Sequence, residues 1–475
     1  MTSPRASLRF IKKGFRPREK GFRQQPVNNR KASKLSMNAT KMNRDHKRIL
    51  RSWKMYDWAN SAFATTIMAA VLPEFYSSVA GSTLDKTTAT SYWGYSNTIA
   101  MLIIAITAPI LGAIGDHSGA KKRFLGGYAG LGILAAALLI GIGNGMWFYA
   151  SVLYICGRVG FGCANIFYDS LLPHVARAEE IDRVSAEGYA YGYLGGGILL
   201  ALNLLMIMKP DFFGIPDAQW ASRISFLTVA LWWALFSIPL LKNVPEPFTL
   251  VERDESPNPL VAGYQRLRKT FGEITKFREL IKFLVAFWLY NDGIGTIIIM
   301  AVIFGAEIGI SKFHLIGAIL MVQFIGVPCT AFFGRLPKKL GTKNSILLAL
   351  CVYAGIVILG YFMSRPLHFW VLALLVSMVQ GGSQALSRSM YASMTPPSKS
   401  AEFFGFYNVS SKFAGIIGPA LFAVVGQLTG SSRLSIISIL VFFLLGALVL
   451  AKVDHRQGIE AAIAAELSIK AERTT

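Results

Sequence analysis

The chain has 475 residues, 53% of them hydrophobic and only 16% charged, where an ordinary soluble protein carries about a quarter charged residues. Its formal charge is +22, but the basic residues gather between apolar runs and at the amino terminus, which argues against nucleic acid as a partner. The four cysteines lie inside apolar runs without a CxxC pair and the six histidines form no HExxH-type spacing, so no disulfide framework, metal site or other cofactor is indicated.

The first 50 residues are rich in Arg, Lys, Ser and Asn and nearly lack acids. They have no continuous apolar core of the kind a secretory signal needs. Three readings compete: a disordered cytoplasmic tail touching anionic lipid, an extension owed to start-codon choice, since Met37 and Met42 lie nearer the first apolar run, and a basic organelle transit peptide.

Apolar runs of 20 or more residues follow to the end of the chain. Each is long enough to cross a hydrocarbon core of about 30 Å as a helix, the open-chain form that satisfies its own backbone in lipid. The runs predict an all-α membrane protein with twelve spans, at 54–79, 90–114, 123–143, 146–172, 186–208, 221–241, 281–308, 313–334, 344–364, 368–392, 402–427 and 432–452. The odd-numbered connections hold few basic residues. The even-numbered ones hold Lys121, Lys122 and Arg123, then Arg177 and Arg183, then a group from Lys242 to Lys282, then Arg335, Lys338, Lys339 and Lys343. The positive-inside rule therefore places both termini and the even-numbered connections in the cytoplasm.

The expected organisation is a basic tail over 1–52, a six-helix bundle over 53–241, a linker over 242–280, a second six-helix bundle over 281–452 and a tail over 453–475. The linker carries four prolines and a basic amphipathic stretch, "YQRLRKTFGEITKFRELIKF", which can lie along a membrane surface.

The two halves echo each other. "YDSLLP" (168–173) matches "YASMTP" (391–396), and "SAEGYAYGY" (185–193) matches "SAEFFGFY" (400–407). Gly112-x6-Gly119 after span two matches Gly334-x6-Gly341 after span eight, and Tyr56/Asp57 matches Tyr290/Asp292. Four matches in one order indicate a parallel repeat, an architecture that places a substrate site between the halves.

The loop "GAIGDHSGAKKR" (112–123) resembles the signature after the second helix of major facilitator superfamily transporters: Gly112, Asp116, Gly119 and the basic run from Lys121 fit it, while His117 and Ala120 depart from it. "RVGFG" (158–162) resembles the superfamily's fourth-helix arginine motif, and "GYAYGYLGGG" (188–197) its glycine-rich motif, with Tyr193 in place of a proline. More narrowly, "YDWANSAFATTI", "FYDSLLP", "LYNDGIGT", "QALSRSMYASMTP" and "FFGFYN" together resemble the vacuole effluxer (Atg22-like) family over residues 53–450 or so. The resemblance implies the major facilitator fold, with spans one, four, seven and ten lining a central cavity. It also implies secondary active transport of a small polar solute, amino acids foremost, in the efflux direction. An uncoupled drug or metabolite facilitator of the same fold is the alternative. A membrane enzyme is disfavoured because no catalytic groups converge at one depth.

Charge at mid-membrane costs about 2.5–3.5 kcal/mol, so it faces a hydrated cavity or a partner. Asp292 and Arg158 lie at similar depths in spans seven and four, and in the resembled fold they face one space from opposite halves. Arg158 is the candidate for a substrate carboxylate and Asp292 for an amino group or a coupling proton. A resting Arg158–Asp292 ion pair is the plainer reading. Asn291, Asn60, Gln323 and Gln384 are further candidates for the cavity, with Gln380. Asp57 is read either as a gate at the cytoplasmic mouth or as a cap on the start of span one. Asp169 and Arg388 are expected to form an ion pair that shuts the cytoplasmic side. Asp116, with Gly119 and Lys121, is expected to latch onto the start of span eleven near Ser400–Phe404. Because Lys338 holds the matching position in the second half, that latch should be asymmetric. The expected setting is an integral, multi-pass monomer in the cell (inner) membrane, or alternatively in a vacuolar or organelle membrane.

Overall fold

A computed structural model of the chain describes residues 29–247, 274–413 and 417–471, together with 265, 268 and 272. The start of the first tail, most of the 242–280 linker with most of the first half of its amphipathic stretch, and residues 414–416 of span eleven lie outside the described residues. Contacts divide the chain into two units, Met1–Lys47 and Arg48–Thr475, and the packed helices belong to the second.

Among the described residues every regular element is helical, as a backbone in hydrocarbon requires. Eleven of the described helices are long and apolar enough to cross a membrane. The remaining span, the eleventh, is described in two pieces, Ser400–Phe413 and Ile417–Thr429. Span one runs from Met42 to Ala80, well before its expected start at 54. The basic residues that lower hydropathy there do not stop a helix, because their long stems can lie along it while the charges reach water. The later part of this span widens into π turns at Phe63–Ala70 and Tyr76–Ala80, on either side of Pro73. Proline removes a helical N–H and crowds the preceding turn, and widened turns are one way to absorb that.

The packing shows the repeat. In the first half span four packs on spans two and three, span three on span six, and span one on spans five and six. In the second half span ten packs on spans eight and nine, span nine on span twelve, and span seven on spans eleven and twelve. Each pair in one half has its counterpart six spans later. The halves meet through span eleven on spans two and four, and through span five on spans eight and ten, which is again the same pairing exchanged. Large apolar side chains such as Leu102, Ile106, Leu134, Leu231 and Leu448 point outward, as expected where the surrounding solvent is lipid.

Local signals set several helix ends. Asp85 accepts from the Thr88 N–H at 2.9 Å and Asp217 from the Trp220 N–H at 2.7 Å, capping spans two and six. Span two (Lys86–Ser118) ends at Gly119 with φ 64°, a left-handed conformation that glycine adopts without a Cβ clash.

The last residues form more than a tail. Helix His455–Ala471 docks on the second half. Its first turn is tied by the Asp454 N–H to Glu279 Oε2 at 2.7 Å and by His455 Nε2 to Ser393 Oγ at 2.8 Å. Glu466 Oε2 accepts from the Ser398 N–H at 3.0 Å near the far end. Burial pushes His455 below the usual histidine pKa, opposed in part by the nearby Asp182. The helix is too short and too polar for a span, so hydropathy does not reveal it.

Candidate functional site

The hydrogen bonds that cross between the halves cluster at the end carrying the even-numbered connections, the basic end. Arg388 is their centre. It sits in the last two turns of span ten (Pro366–Ser393) with 2% exposure. Its guanidinium lies 3.1 Å from Asp169 Oδ1 and 3.3 Å from Asp57 Oδ2, both in the first half. Nε donates to Ser185 Oγ and Nη2 to the Ser185 carbonyl, each at 2.9 Å. The Ser185 hydroxyl in turn donates to the Ala385 carbonyl at 2.8 Å. Tyr168 donates its hydroxyl to Asp57 at 2.7 Å, and the rings of Tyr189, Trp53 and Tyr168 lie 4.3, 5.0 and 5.5 Å from the guanidinium. Removing two charges from water is repaid only when the remaining donors and acceptors are satisfied. Here one cation meets two carboxylates, a serine and three aromatic faces, in an arrangement that exists only while the halves touch.

Glycine makes room for it. A Cβ at Gly188 would stand 2.6 Å from Asp57 Oδ2 and 3.0 Å from Arg388 Nη2. Further along the same motif, Gly192, Gly195 and Gly196 face span one and Gly197 faces Gln323 of span eight, so the stripe serves close packing of span five on both halves.

A second contact lies beside the first. Asp116 Oδ2 accepts from the backbone N–H of Glu402, in the first turn of span eleven, at 2.8 Å, a position where the helix dipole favours an acid. Lys121 is 2.6 Å from Asp116 Oδ1 and donates to Ser400 Oγ at 2.6 Å. His174 Nε2 reaches the same hydroxyl at 3.1 Å. Gly119 ends span two so that the chain can reverse and bring Lys121 back to Asp116. The second half makes a different contact. Lys338 is exposed. There the acid is Asp182, near the start of span five, which accepts from Thr342 Oγ1 at 2.8 Å and from Ser389 Oγ. In one half the loop supplies the acid; in the other the loop supplies the hydroxyl.

Deeper in, the residues separate. Arg158 lies 11 residues into span four (Trp147–Ser170), about 17 Å along it at 1.5 Å per residue. It is 7% exposed, and Nη1 lies 2.7 Å from Met68 Sδ, in the widened part of span one. Its Nε has no hydrogen-bond partner among the described residues. Asp292 is 1% exposed, and both its oxygens accept from the Gly418 N–H at 3.1 Å. The resting Arg158–Asp292 ion pair is not formed: among the described residues the carboxylate is satisfied by a backbone N–H of span eleven in its own half.

Asp57 does not cap a helix start. The helix Asn29–Ala62 is under way many turns earlier, so a charge at that position needs a side-chain partner and finds Arg388. Asn60 is buried and donates to Asn165 Oδ1 at 2.7 Å. Asn291, Gln323, Gln384 and Gln380 are half-buried on spans seven, eight and ten.

Sequence reasoning named Ser400 only as the start of the expected span-eleven contact and did not single out Ser185, Tyr168, His174, Asp182, Thr342 or Ser389. A signal existed for three of these residues. Tyr168 opens one repeated motif, and Ser185 and Ser400 open the two copies of another. Both serines stand where a span of one half meets the other half.

A family model described as "Vacuole effluxer Atg22 like" matches residues 45–463. The chain is 37% identical over 406 residues to the uncharacterized MFS-type transporter YxiO of Bacillus subtilis (strain 168), covering 85% of this chain and 94% of that protein. It is 26% identical to autophagy-related protein 22-1 of Phaeosphaeria nodorum, covering 79% and 78% of the two chains. Among solved structures it resembles the proton:xylose symporter XylE, with a TM-score of 0.66 at 16% identity over 89% of this chain and 99% of that one. The human organic anion transporter MFSD10 gives the same TM-score at 13% identity, over 85% and 99%. The likeness to these structures shows the major facilitator fold.

Proposed function

The chain belongs to the vacuole effluxer Atg22-like family of major facilitator transporters, and from that premise we propose that it exports a small carboxylate-bearing solute, an amino acid in the first instance, by alternating access. It is a multi-pass membrane transporter and not an enzyme. Arg158 carries the substrate reading. A buried guanidinium whose close neighbour is a thioether has donors to spare and, among the described residues, no acid paired with it. Leaving such a group unmatched is costly, and a carboxylate meets it with two parallel charge-assisted bonds.

Asp292, from the opposite half, receives the amino group or a coupling proton by giving up its bond to Gly418. Asn60, Asn291, Gln323 and Gln384 line the route. The two bundles, 53–241 and 281–452, move as bodies about this space. The Arg388–Asp57–Asp169 knot and the Asp116–Lys121–Ser400 contact close the basic end in one state and part in the other. That end, with both termini, faces the cytoplasm, because it holds the basic connections. The protein acts as a monomer in the cell (inner) membrane, with a vacuolar or organelle membrane as the alternative setting. A second reading, uncoupled facilitation, is favoured by the bond from Gly418 to Asp292, which gives the carboxylate a purely structural task.

The test is uptake of labelled amino acids into proteoliposomes, with and without a pH gradient. Arg158→Gln should lose uptake by about a hundredfold and Arg158→Lys by less, since a charged bidentate contact is worth roughly 1.5–3 kcal/mol and lysine keeps the charge. Asp292→Asn should abolish only the pH-driven part. Unchanged uptake in Arg158→Gln rejects the carboxylate site, an intact pH response in Asp292→Asn rejects Asp292 as the coupling group, and no pH response in the unsubstituted protein leaves the uncoupled reading standing.

A further inference from the structure

The contact that closes on Ser400 contains a group the transport reading does not use. His174 follows the "YDSLLP" motif at the end of span four, and its ring reaches across to the other half. Nε2 lies 3.2 Å from Lys121 Nζ and 3.1 Å from Ser400 Oγ. An ammonium has three N–H donors and no acceptor. Lys121 directs them at Asp116 Oδ1, Ser400 Oγ and His174 Nε2. A ring nitrogen that faces an ammonium must present its lone pair, so the imidazole here is neutral, with its proton on Nδ1. The ring also bonds the backbone of Pro397, which has no N–H and can only accept, and this fixes the same tautomer. Pro397 is itself the residue that matches His174 in the second half, after "YASMTP", so this repeat position carries an imidazole in one half only.

Lys121 and Ser400 are buried, but His174 is exposed, so protons reach it from the solution at the basic end. The charges around it leave no acid for a second cation. Beside Ser400, Lys121 and Lys399 balance Asp116 and Glu402, all four of them buried. His174 lies on the short helix Leu172–Val175, against which spans four, five and ten pack. Asp169 of span four and Arg388 of span ten pair with each other, while the hydroxyls of Tyr168 and Tyr391 donate to Asp57 and to the Phe403 carbonyl. On span five, Asp182 accepts from Thr342 and Ser389, Arg183 pairs with Glu180, and Glu187 pairs with Lys54. Two other imidazoles stand at this end. His117 adjoins Asp116 in the chain, and His455 lies near both Asp182 and Lys343, one charge of each sign.

We propose that His174 is a proton-operated release for the closed basic end. Protonation at Nε2 sets an imidazolium against the Lys121 ammonium and removes the acceptor of one of its three bonds. Two cations and two acids surround Ser400, so a third cation leaves one positive charge unmatched. The repulsion falls on the closed state, because once span eleven withdraws both side chains can turn to water. A contact that needs the neutral ring weakens as protons bind, so acid at the basic end favours opening. The inference rests on the reading that this contact parts during the transport cycle. It does not depend on Arg158 or on what the protein transports.

The test uses the full chain in lipid nanodiscs, without its four native cysteines. Spin labels sit on cysteines placed at Ala178 and Gln457, exposed positions at the basic end of the first half and of the helix docked on the second. Double electron–electron resonance reads the distance between them at about pH 8 and about pH 5, either side of the ordinary histidine value. The ratio of long-distance to short-distance populations should rise about fivefold or more at the lower pH. His174→Asn keeps an uncharged acceptor and should hold the high-pH distribution at both values. His174→Arg carries a permanent charge and should hold the low-pH distribution at both. His117→Gln and His455→Gln should keep the native response. A distribution in the His174 protein that ignores pH, a response that survives His174→Asn, or one that is lost with His117 or His455 overturns the switch. Arg388→Gln separates this failure from that of the gating reading. If it lengthens the distance while pH does not, the switch alone is wrong; if neither does, the gating reading falls as well.

Discussion

Arg388 and Arg158 are both buried arginines, and their surroundings give them opposite tasks. Arg388 is saturated by groups from the other half of the molecule, so in the proposed cycle its energy is tied to the closed state of the basic end. Removing one partner of a buried ion pair costs about 3–5 kcal/mol, because the other charge stays buried. Arg388→Gln, which strands Asp57 and Asp169, should therefore shift the conformational equilibrium toward opening at that end. The measurement is the rate at which a cysteine placed at Asn60, in a background without the four native cysteines, reacts with an impermeant thiol reagent applied from the basic side. The rate should rise at least tenfold, the equivalent of about 1.4 kcal/mol. An unchanged rate would show that the knot carries no gating energy. Among the described residues Arg158 has no such partner, which is why a ligand is proposed there.

At the scale of elements, spans two and eleven cross between the halves with backbone against backbone. A Cβ at Gly112 would collide with the Ala401 carbonyl oxygen, and one at Gly405 would lie 2.7 Å from the Ala108 carbonyl oxygen. Both obstructions are backbone, which cannot swing aside as a side chain can. Gly112→Val should hold these two spans apart, block closure of the basic end and reduce uptake by at least tenfold while leaving a monodisperse, folded protein. The cost of overpacking, about 1–3 kcal/mol, falls on the closed state because only that state has the contact. Uptake at the wild-type rate would show that the crossing relaxes freely. The C-terminal helix is the other element whose role came from packing. Its Gly458 and Ala462 are small and buried against the second half, a pattern that reads as an ordinary short surface helix until its partners are known.

For the whole molecule, the exchange of span pairs between halves means that, in the proposed cycle, one rigid-body motion would open or close the described contacts at the basic end together. Ser185 and Ala385 are hydrogen-bonded across the halves. Cysteines at both positions, bridged by a short bifunctional thiol reagent that can be cleaved, should arrest transport and release it on cleavage. Each single-cysteine protein should be unaffected by the reagent. Continued transport in the bridged protein would rule out separation of the halves at this point as part of the cycle.

Much of this architecture is legible in the chain itself. Long apolar runs specify spans because each helix meets lipid independently of its neighbours, and the ordered repeats at Tyr168/Tyr391 and Ser185/Ser400 reveal the duplication because each copy meets the same kind of contact. The pairing of Asp169 with Arg388, and of Asp116 with the start of span eleven, was readable from charge, depth and family resemblance. Less was readable where one polar group had several possible partners. The sequence placed Asp57 near the mouth of the first bundle but left open whether it caps or gates, and it put Arg158 and Asp292 at one depth without saying whether they touch. Only tertiary structure pairs Asp57 with Arg388 and gives Arg158 and Asp292 separate neighbours. Hydropathy and charge act along a single helix, whereas a buried side chain's partner depends on how far one helix is turned and shifted against another, and that is set by the packing of all twelve.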